Sequence, residues 1–390
     1  MNPSSRHPNR ETHVHVRASQ NHMATTFDFV ISAAAAEAPR AGRLLDRAHE
    51  LMDVLERQLS EFIADSAVAR LNRARAGERV AAPDCLIELL ERSERIRAQT
   101  DNAFHCTAKS PAHVPLPAVA WDRARNEVWK LHDEAHVGFG AIGKGFALDQ
   151  ARKLLVSQGF NDFLLSAGGS SICLSGFAGP REPWRWGWSW QKDAEGDHLG
   201  IPLSHPSGTS LSIGVSGTHE KGDHIRGERF ASDRTGPDAG SPRSALIAMP
   251  SAADADALST ALFTALDRAG WDKGLELVGK GFVQPAVACI DPAGVPRWNG
   301  TFQKLFGSVM GVLLLAAAHL VTSPLAARAA DSGAAQQADD AVDLGSMGLD
   351  KFTPYITERN PLWALLPVCF GLFVLLHLTN PRKKNRRPVK

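Results

Sequence analysis

The segment Gly138–Asp149, Gly-Phe-Gly-Ala-Ile-Gly-Lys-Gly-Phe-Ala-Leu-Asp, limits the folds open to this chain more than any other. Four glycines surround one lysine. The run then turns helical, with Ala147, Leu148, Ala151, Leu154 and Leu155 at three- and four-residue steps. Glycine lets a backbone come closer to a ligand or a neighbouring chain than any side chain would allow. A helix N-terminus offers unpaired N–H groups and partial positive charge, which suits phosphate, and Lys144 adds a full charge. The spacing is neither the Walker pattern nor a clean dinucleotide fingerprint. A phosphate-handling loop and a structural glycine turn both remain open on these residues alone.

The flanking segments predict the rest of a folded domain. Met23–Ile31 reads as a strand with Phe27, Phe29 and Ile31 on one face. A helix of about six turns follows from Ala41, with Leu44, Leu45, Ala48, Leu51, Met52 and Leu55 as its apolar stripe. Asp65 or Ser66 caps a short helix ending at Asn72. A second long helix spans about Pro83–Thr100, and Glu127–Leu131 is a short strand. Asp162–Cys173 reads strand, glycine turn, strand. Trp184, Trp186, Trp188 and Trp190 alternate with other residues, so they predict a strand with one aromatic face. Such a row reads as sheet core, with a cofactor platform as the alternative. Leu211–Val215 and Ala245–Met249 are further strands and Ala252–Ala269 a helix, on which Asp256 and Thr260 share a face. Helices and strands mix without strict alternation. That pattern predicts an α+β domain rather than a doubly wound sheet.

Formal net charge is +1, so nothing overall points to nucleic acid. The five cysteines (85, 106, 173, 289, 369) form no CxxC pair, which argues against a zinc site or a disulfide framework. Residues 1–22 are polar and carry four histidines; they read as a disordered leader, with metal binding as a minor alternative. The last 86 residues change character: Leu305–Ala327 and Pro361–Pro381 are free of Asp, Glu, Lys and Arg, and each is long enough to span a bilayer. An acidic linker, residues 328–360, joins them, and the basic tail 382–390 follows. The positive-inside rule puts the tail in the cytoplasm, and two spans return the N-terminal domain there, at the inner membrane.

From Met23 to about Gly279 the motifs resemble, in order, those of the ApbE family, the FAD:protein FMN transferases. Met23-Ala-Thr25, Ser60 to Phe62 with Asp65-Ser66 and Leu71-Asn72, Thr100–Phe104, Gly140–Asp149, Ser166-Ala-Gly-Gly169, Trp184, Ser216-Gly217 and Ala255–Thr260 carry the resemblance. It implies a T-fold-related mixed sheet with helices, here followed by two transmembrane helices. It implies an enzyme that splits FAD and attaches FMN through its phosphate to Ser or Thr of a partner flavoprotein, releasing AMP. Mg²⁺ would be held by the Ala141 carbonyl, Asp256 and Thr260. FAD would be cradled by Met23, Phe62, Ala103, Phe104, His105, Gly138, Lys144 and Ala231. On the residues themselves, a helix cap at Asp256 with a back-bonding Thr260 is the competing account.

The sequence departs from the family pattern at His105 and Gly138, where the family carries acids, at Val215, and across Arg229–Gly236, where Arg229 replaces a histidine and Ser232-Asp233 an Asp-Pro pair. His224 is a candidate replacement for that histidine in acid–base work. An active membrane-tethered transferase is the first expectation. A catalytically impaired flavin-binding or assembly factor, and a membrane scaffold unrelated to flavin, are the alternatives. The family's acceptor motif is absent here, Asp331-Ser-Gly-Ala334 being only a fragment, so the acceptor would be another protein, a membrane-associated electron-transfer component.

Overall fold

The computed structural model describes residues 13–192, 198–204, 208–217, 242–281 and 283–306. The chain divides into two units, Met1–Gly307 and Ser308–Lys390, and every described residue belongs to the first. In chain order the elements are β1 (His13–His22), β2 (Thr25–Ala34), α1 (Ala38–Leu59), α2 (Ala67–Arg73), β3 (Val80–Ala81), α3 (Asp84–Gln99), β4 (Val119–Asp122) and β5 (Glu127–Lys130). After these come α4 (Gly143–Ser157), β6 (Phe163–Ala167), β7 (Ser171–Ser175), β8 (Arg185–Lys192), β9 (His198–Ser204), β10 (Leu211–Gly217), β11 (Ser244–Met249), α5 (Ala252–Val278), β12 (Ala286–Ile290), β13 (Pro296–Trp298) and α6 (Gly300–Phe306).

Eight strands form one sheet in the order β1-β2-β6-β7-β10-β11-β12-β13. Helices and sheet combine as an α+β fold, as the sequence predicts. Every described pairing within this sheet is antiparallel. Three of its pairs are sequence-adjacent hairpins or near-hairpins, a connection that only antiparallel strands can use. In β2 the residues Phe27, Phe29 and Ile31 are fully buried, as their alternation requires. The stripe of α1 packs on β1 and β2, α4 on β6 and β7, and α5 on β7, β10 and β11. These helices share a single core with the sheet.

Several expectations are corrected. His13–His22, placed in a disordered leader, is strand β1, paired residue for residue with β2 from His13–Ala34 to His22–Thr25. Polar side chains hid it: as an edge strand it alternates between exposed and half-buried positions from His13 to Ser19, and only His22 at its end is buried. The helix expected over Ala252–Ala269 continues to Val278 beyond a break at Gly270, whose φ of 80° and ψ of −171° are not helical. Strand β12 went unread because its run Ala-Val-Ala-Cys-Ile is buried throughout and shows no period of two. Ser66, of the two candidate caps, accepts the Ala69 N–H at 2.9 Å. Of the expected aromatic face Trp184 and Trp188 are buried and Trp186 is half-buried, and the Trp188 indole donates to Ser244 Oγ at 3.0 Å. Among the described residues no helix is long and apolar enough to cross a membrane. Apart from Leu305 and Phe306 at the end of α6, both expected spans lie outside the described residues, as do the linker and the basic tail.

One buried polar cluster ties β1 to α1. His22 Nε2 lies 3.0 Å from His49 Nδ1, His22 Nδ1 lies 3.0 Å from Asp53, and His49 stacks on Phe29 at 4.6 Å between ring centroids. Burial pushes the His49 imidazole below its ordinary value of 6.5; the Ala18 backbone opposes this, His22 adds to it, and Asp46 and Asp53 oppose it. A histidine with a depressed folded-state value contributes stability that is complete above 6.5 and is lost as pH falls through the folded value. Urea midpoints measured from pH 7.5 to 5 should therefore fall on acidification below about 6.5. His49→Phe should flatten that slope; an unchanged slope would refute the assignment to His49.

Candidate functional site

The glycine loop enters α4 with Ile142 as the cap, so Lys144 and Gly145 lie in the first turn. The Gly145 N–H donates to Asp256 Oδ2 at 2.7 Å, across 111 residues of sequence. The same oxygen accepts the Ser171 hydroxyl at 2.8 Å. An anionic acceptor on a first-turn N–H is favoured by the helix dipole. Gly145 has no alternative here: a Cβ would stand 2.1 Å from the Ala252 carbonyl oxygen. Gly214 of β10 allows the same closeness from below, since its Cβ would stand 2.4 Å from the Ala255 carbonyl.

Asp256 is 6% exposed. Burial pushes its carboxyl up to about 6, against the pull of the Lys144 charge and of the Ser171 and Gly145 hydrogen bonds, while Asp149 adds to the rise. Its second oxygen takes no hydrogen bond from the described residues. Lys144 Nζ donates to Ser170 Oγ at 2.7 Å. Thr260 Oγ1 lies 3.3 Å from the Asp256 carbonyl and 3.2 Å from Ser216 Oγ, which also meets Ser259 Oγ at 2.9 Å. Thr260 therefore does bond back along its helix. Asp256, however, is not the helix cap; Ser251 is, accepting the Asp254 N–H.

Ala141 stands in the loop just before Ile142, the cap of α4. The Ile142 and Gly143 N–H groups go to Phe139 and the Phe146 N–H to Ile142, which leaves the Ala141 carbonyl outside the turn's hydrogen bonding among the described residues. One carboxylate oxygen, one hydroxyl and one carbonyl are hard donors that suit Mg²⁺ and would leave several positions to water or phosphate. Among the described residues no group of three or more His, Cys, Asp or Glu side chains is placed to hold a metal ion. A cation here would depend on a single carboxylate with neutral oxygens.

The other expected site residues fall around this centre unevenly. Met23 and Ala24 form the β1–β2 turn with φ of 51° and 59°, the left-handed pair a two-residue hairpin needs. The Gly168 N–H donates to Thr26, which sets that turn beside Ser170. The Gly138 N–H donates to the Cys106 carbonyl at 2.9 Å and so joins the glycine loop to His105. Ala103 and Phe104 point into the core, which leaves only their backbone for a ligand. His105 is buried, with Nδ1 3.1 Å from Thr107 Oγ1. Phe62 is 84% exposed, with Lys109 Nζ 5.3 Å from its ring centroid. His224, Ala231 and the segment Arg229–Gly236 lie outside the described residues.

Four residues were not singled out as site residues in the sequence, Glu61, Ser170, Ser171 and Asn72, the last entering only as part of a matched motif. Glu61 supplies a carboxylate next to Gly138: its Oε1 lies 3.1 Å from where a Cβ on Gly138 would stand. Burial would raise Glu61, but hydrogen bonds from Lys109 and His136 hold it below the usual carboxylate range. Asn72 clamps both backbone groups of Val137 at 2.8 and 2.9 Å, just ahead of the glycine loop. Ser170 and Ser171 sit immediately after the matched Ser166–Gly169 motif. Only their place beyond that turn marks them in sequence.

These features define an α+β protein in which a lysine-bearing glycine loop is docked on the buried carboxylate of a second helix. Residues 23–284 match the ApbE family, and the chain belongs to it. It is 25% identical over 289 residues to the FAD:protein FMN transferase of Salmonella typhimurium, covering 66% of this chain and 77% of that protein. It is 22% identical over 275 residues to the Escherichia coli protein of the same name, covering 62% and 73%. Its fold matches the flavin transferase ApbE of Vibrio cholerae with a TM-score of 0.60 at 20% identity, covering 75% of this chain and 100% of that one. The Thermotoga maritima ApbE protein gives 0.62 at 18% identity, covering 76% and 100%.

Proposed function

We propose that the protein is an FAD:protein FMN transferase. It breaks the pyrophosphate P–O bond of FAD, forms a phosphoester between the FMN phosphorus and a Ser or Thr oxygen of a partner protein, and releases AMP with the bridging oxygen. The observation that carries this reading is the junction of Lys144, Gly145, Ser171 and Asp256, which joins a phosphate-suited helix start to a buried carboxylate. Asp256, Thr260 and the Ala141 carbonyl would hold Mg²⁺, which when bound neutralises phosphate charge and polarises the scissile bond. The Lys144 ammonium adds charge at the α4 start, where FAD phosphate would lie. The close-packed α4 and α5 backbones exclude water from the inner side of that centre.

The test is incubation of the full chain with FAD, Mg²⁺ and candidate acceptors, read as AMP by nucleotide chromatography. AMP from wild type and none from Asp256→Ala is expected. FAD bound without AMP under every acceptor would instead support the flavin-binding assembly factor. Glu61 stands where the sequence suggested a lost carboxylate, and it is read here as an acceptor for ligand N–H groups. Glu61→Gln should weaken FAD binding about tenfold, ~1.4 kcal/mol, in a fluorescence-quenching titration; unchanged affinity removes Glu61 from the site.

On this reading residues 305–327 and 361–381 tether the domain to the inner membrane, with domain and tail cytoplasmic. Tethering raises the effective concentration near a membrane-associated electron-transfer acceptor. Recovery of the full chain in the soluble fraction after cell lysis would overturn the tether.

A further inference from the structure

We propose that Asp149 is a positioning residue for the cation site: it fixes α5 against α4 and so sets where the Asp256 carboxylate stands relative to the glycine loop. The inference rests on the cation reading of Asp256 given above and adds a residue that touches neither cation nor FAD. Asp149 is 3% exposed, and both of its oxygens are fully engaged. Oδ1 accepts the Ala252 N–H at 3.1 Å and Arg152 Nη2 at 3.0 Å. Oδ2 accepts the Ser251 hydroxyl at 2.9 Å and the Ala253 N–H at 3.1 Å.

The first two orphan N–H groups of α5 are thus capped by a different helix. The next is taken by Ser251 itself, at 3.2 Å from the Asp254 N–H. Helix starts are ordinarily capped by the residue just before them, which holds a helix end but fixes nothing else. Here the cap comes from α4, one turn after Gly145, and Asp256 lies one turn after Ala252 on α5. The contacts are reciprocal: α4 gives the Gly145 N–H to Asp256, and α5 gives the Ala252 and Ala253 N–H groups to Asp149. With Gly145 and Ala252 in backbone contact between them, α5 cannot slide or roll without breaking one of these bonds. A carboxylate, with acceptors on both oxygens and no donor, is the side chain that can receive all four bonds.

The test reads cation affinity apart from catalysis. Mn²⁺ binding to the full chain in detergent is followed by the electron paramagnetic resonance signal of free Mn²⁺, at a temperature where circular dichroism shows each variant folded. Asp256→Ala sets the background. Asp149→Asn keeps size but turns an amide group toward N–H donors. It should weaken the Asp256-dependent binding by about 10- to 100-fold, as loss of groups that orient metal ligands does. Val128→Ala, a core truncation in the small sheet β3-β5-β4, should lower the melting temperature without changing Mn²⁺ affinity. Wild-type affinity in folded Asp149→Asn overturns the proposal and leaves the cation reading standing. If Asp149→Asn does not fold, Ser251→Ala, which removes one of the four bonds, should weaken binding in the same direction, and unchanged binding in it overturns the proposal too. Wild type without Asp256-dependent binding overturns the cation reading, and this inference with it.

Discussion

Exchange of Asp256 for Asn is expected to reduce FMN transfer about a thousandfold, ~4 kcal/mol of transition-state stabilisation, while leaving the folded protein at least as stable at pH 7.5. The two effects have one cause. The carboxylate is held in a buried place where its folded value is raised from 3.8 to about 6. A group whose folded value lies above its unfolded one contributes stability that is full below the unfolded value, here 3.8, and is lost as pH rises through about 6. At pH 7.5 the charge is therefore a cost to folding, roughly 3 kcal/mol from the size of the shift. Asn removes the charge and retains an oxygen for the Gly145 N–H and the Ser171 hydroxyl, so both existing donors keep their acceptor. It also removes the anionic oxygen on which the cation reading depends. Transfer rates with AMP detection and urea melts of the same preparations check both halves. Loss of transfer accompanied by loss of stability would assign Asp256 to the core instead.

Gly145→Ala is the second large effect: loss of about 3 kcal/mol of stability together with loss of transfer. Two terms oppose each other. Alanine is the better helix former by about 1 kcal/mol. Its Cβ, however, would stand 2.1 Å from the Ala252 oxygen, 2.4 Å from the Ala252 carbonyl carbon and 2.8 Å from the Ala253 nitrogen. All three are backbone atoms of α5, so no rotamer change relieves the clash and the two helices must part. Parting lengthens the Gly145–Asp256 and Asp149–Ala252 bonds together. Gly140→Ala is the control, because a Cβ there meets nothing within 4 Å. Denaturation of the two variants should separate them cleanly; equal stability would mean the helices do not pack as closely as described.

Membership of the family was legible because its motifs are local strings, and the core of the fold because burial leaves a period. The stripe of α1, the alternation in β2 and the cap at Ser66 are each decided within a few residues of chain. What failed was also local in origin. Edge strand β1 has little apolar signal, and the fully buried β12 has signal at every position, so neither shows the period of two on which the reading depends. Gly138 looked like a lost acid because sequence lists only the residue in the loop, whereas the nearby carboxylate, Glu61, arrives from 77 positions earlier.

The sequence by itself marked helices α1 to α5 and strands β2, β5, β6, β7, β8, β10 and β11 in the central domain, and through the resemblance it pointed to Lys144, Asp256 and Thr260 as one set of candidate site residues. It also held the uncharged stretches after residue 304, whose placement lies outside the described residues. Tertiary structure alone decided that Gly145 and Asp149 meet the start of α5, that Ser171 supports Asp256, and that Glu61 fills the space over Gly138. The physical reason is range. Helix and strand preference come from neighbours within a turn or two. Contacts between residues tens to a hundred positions apart depend on the order of strands in the sheet and on how closely two glycine-lined backbones can approach.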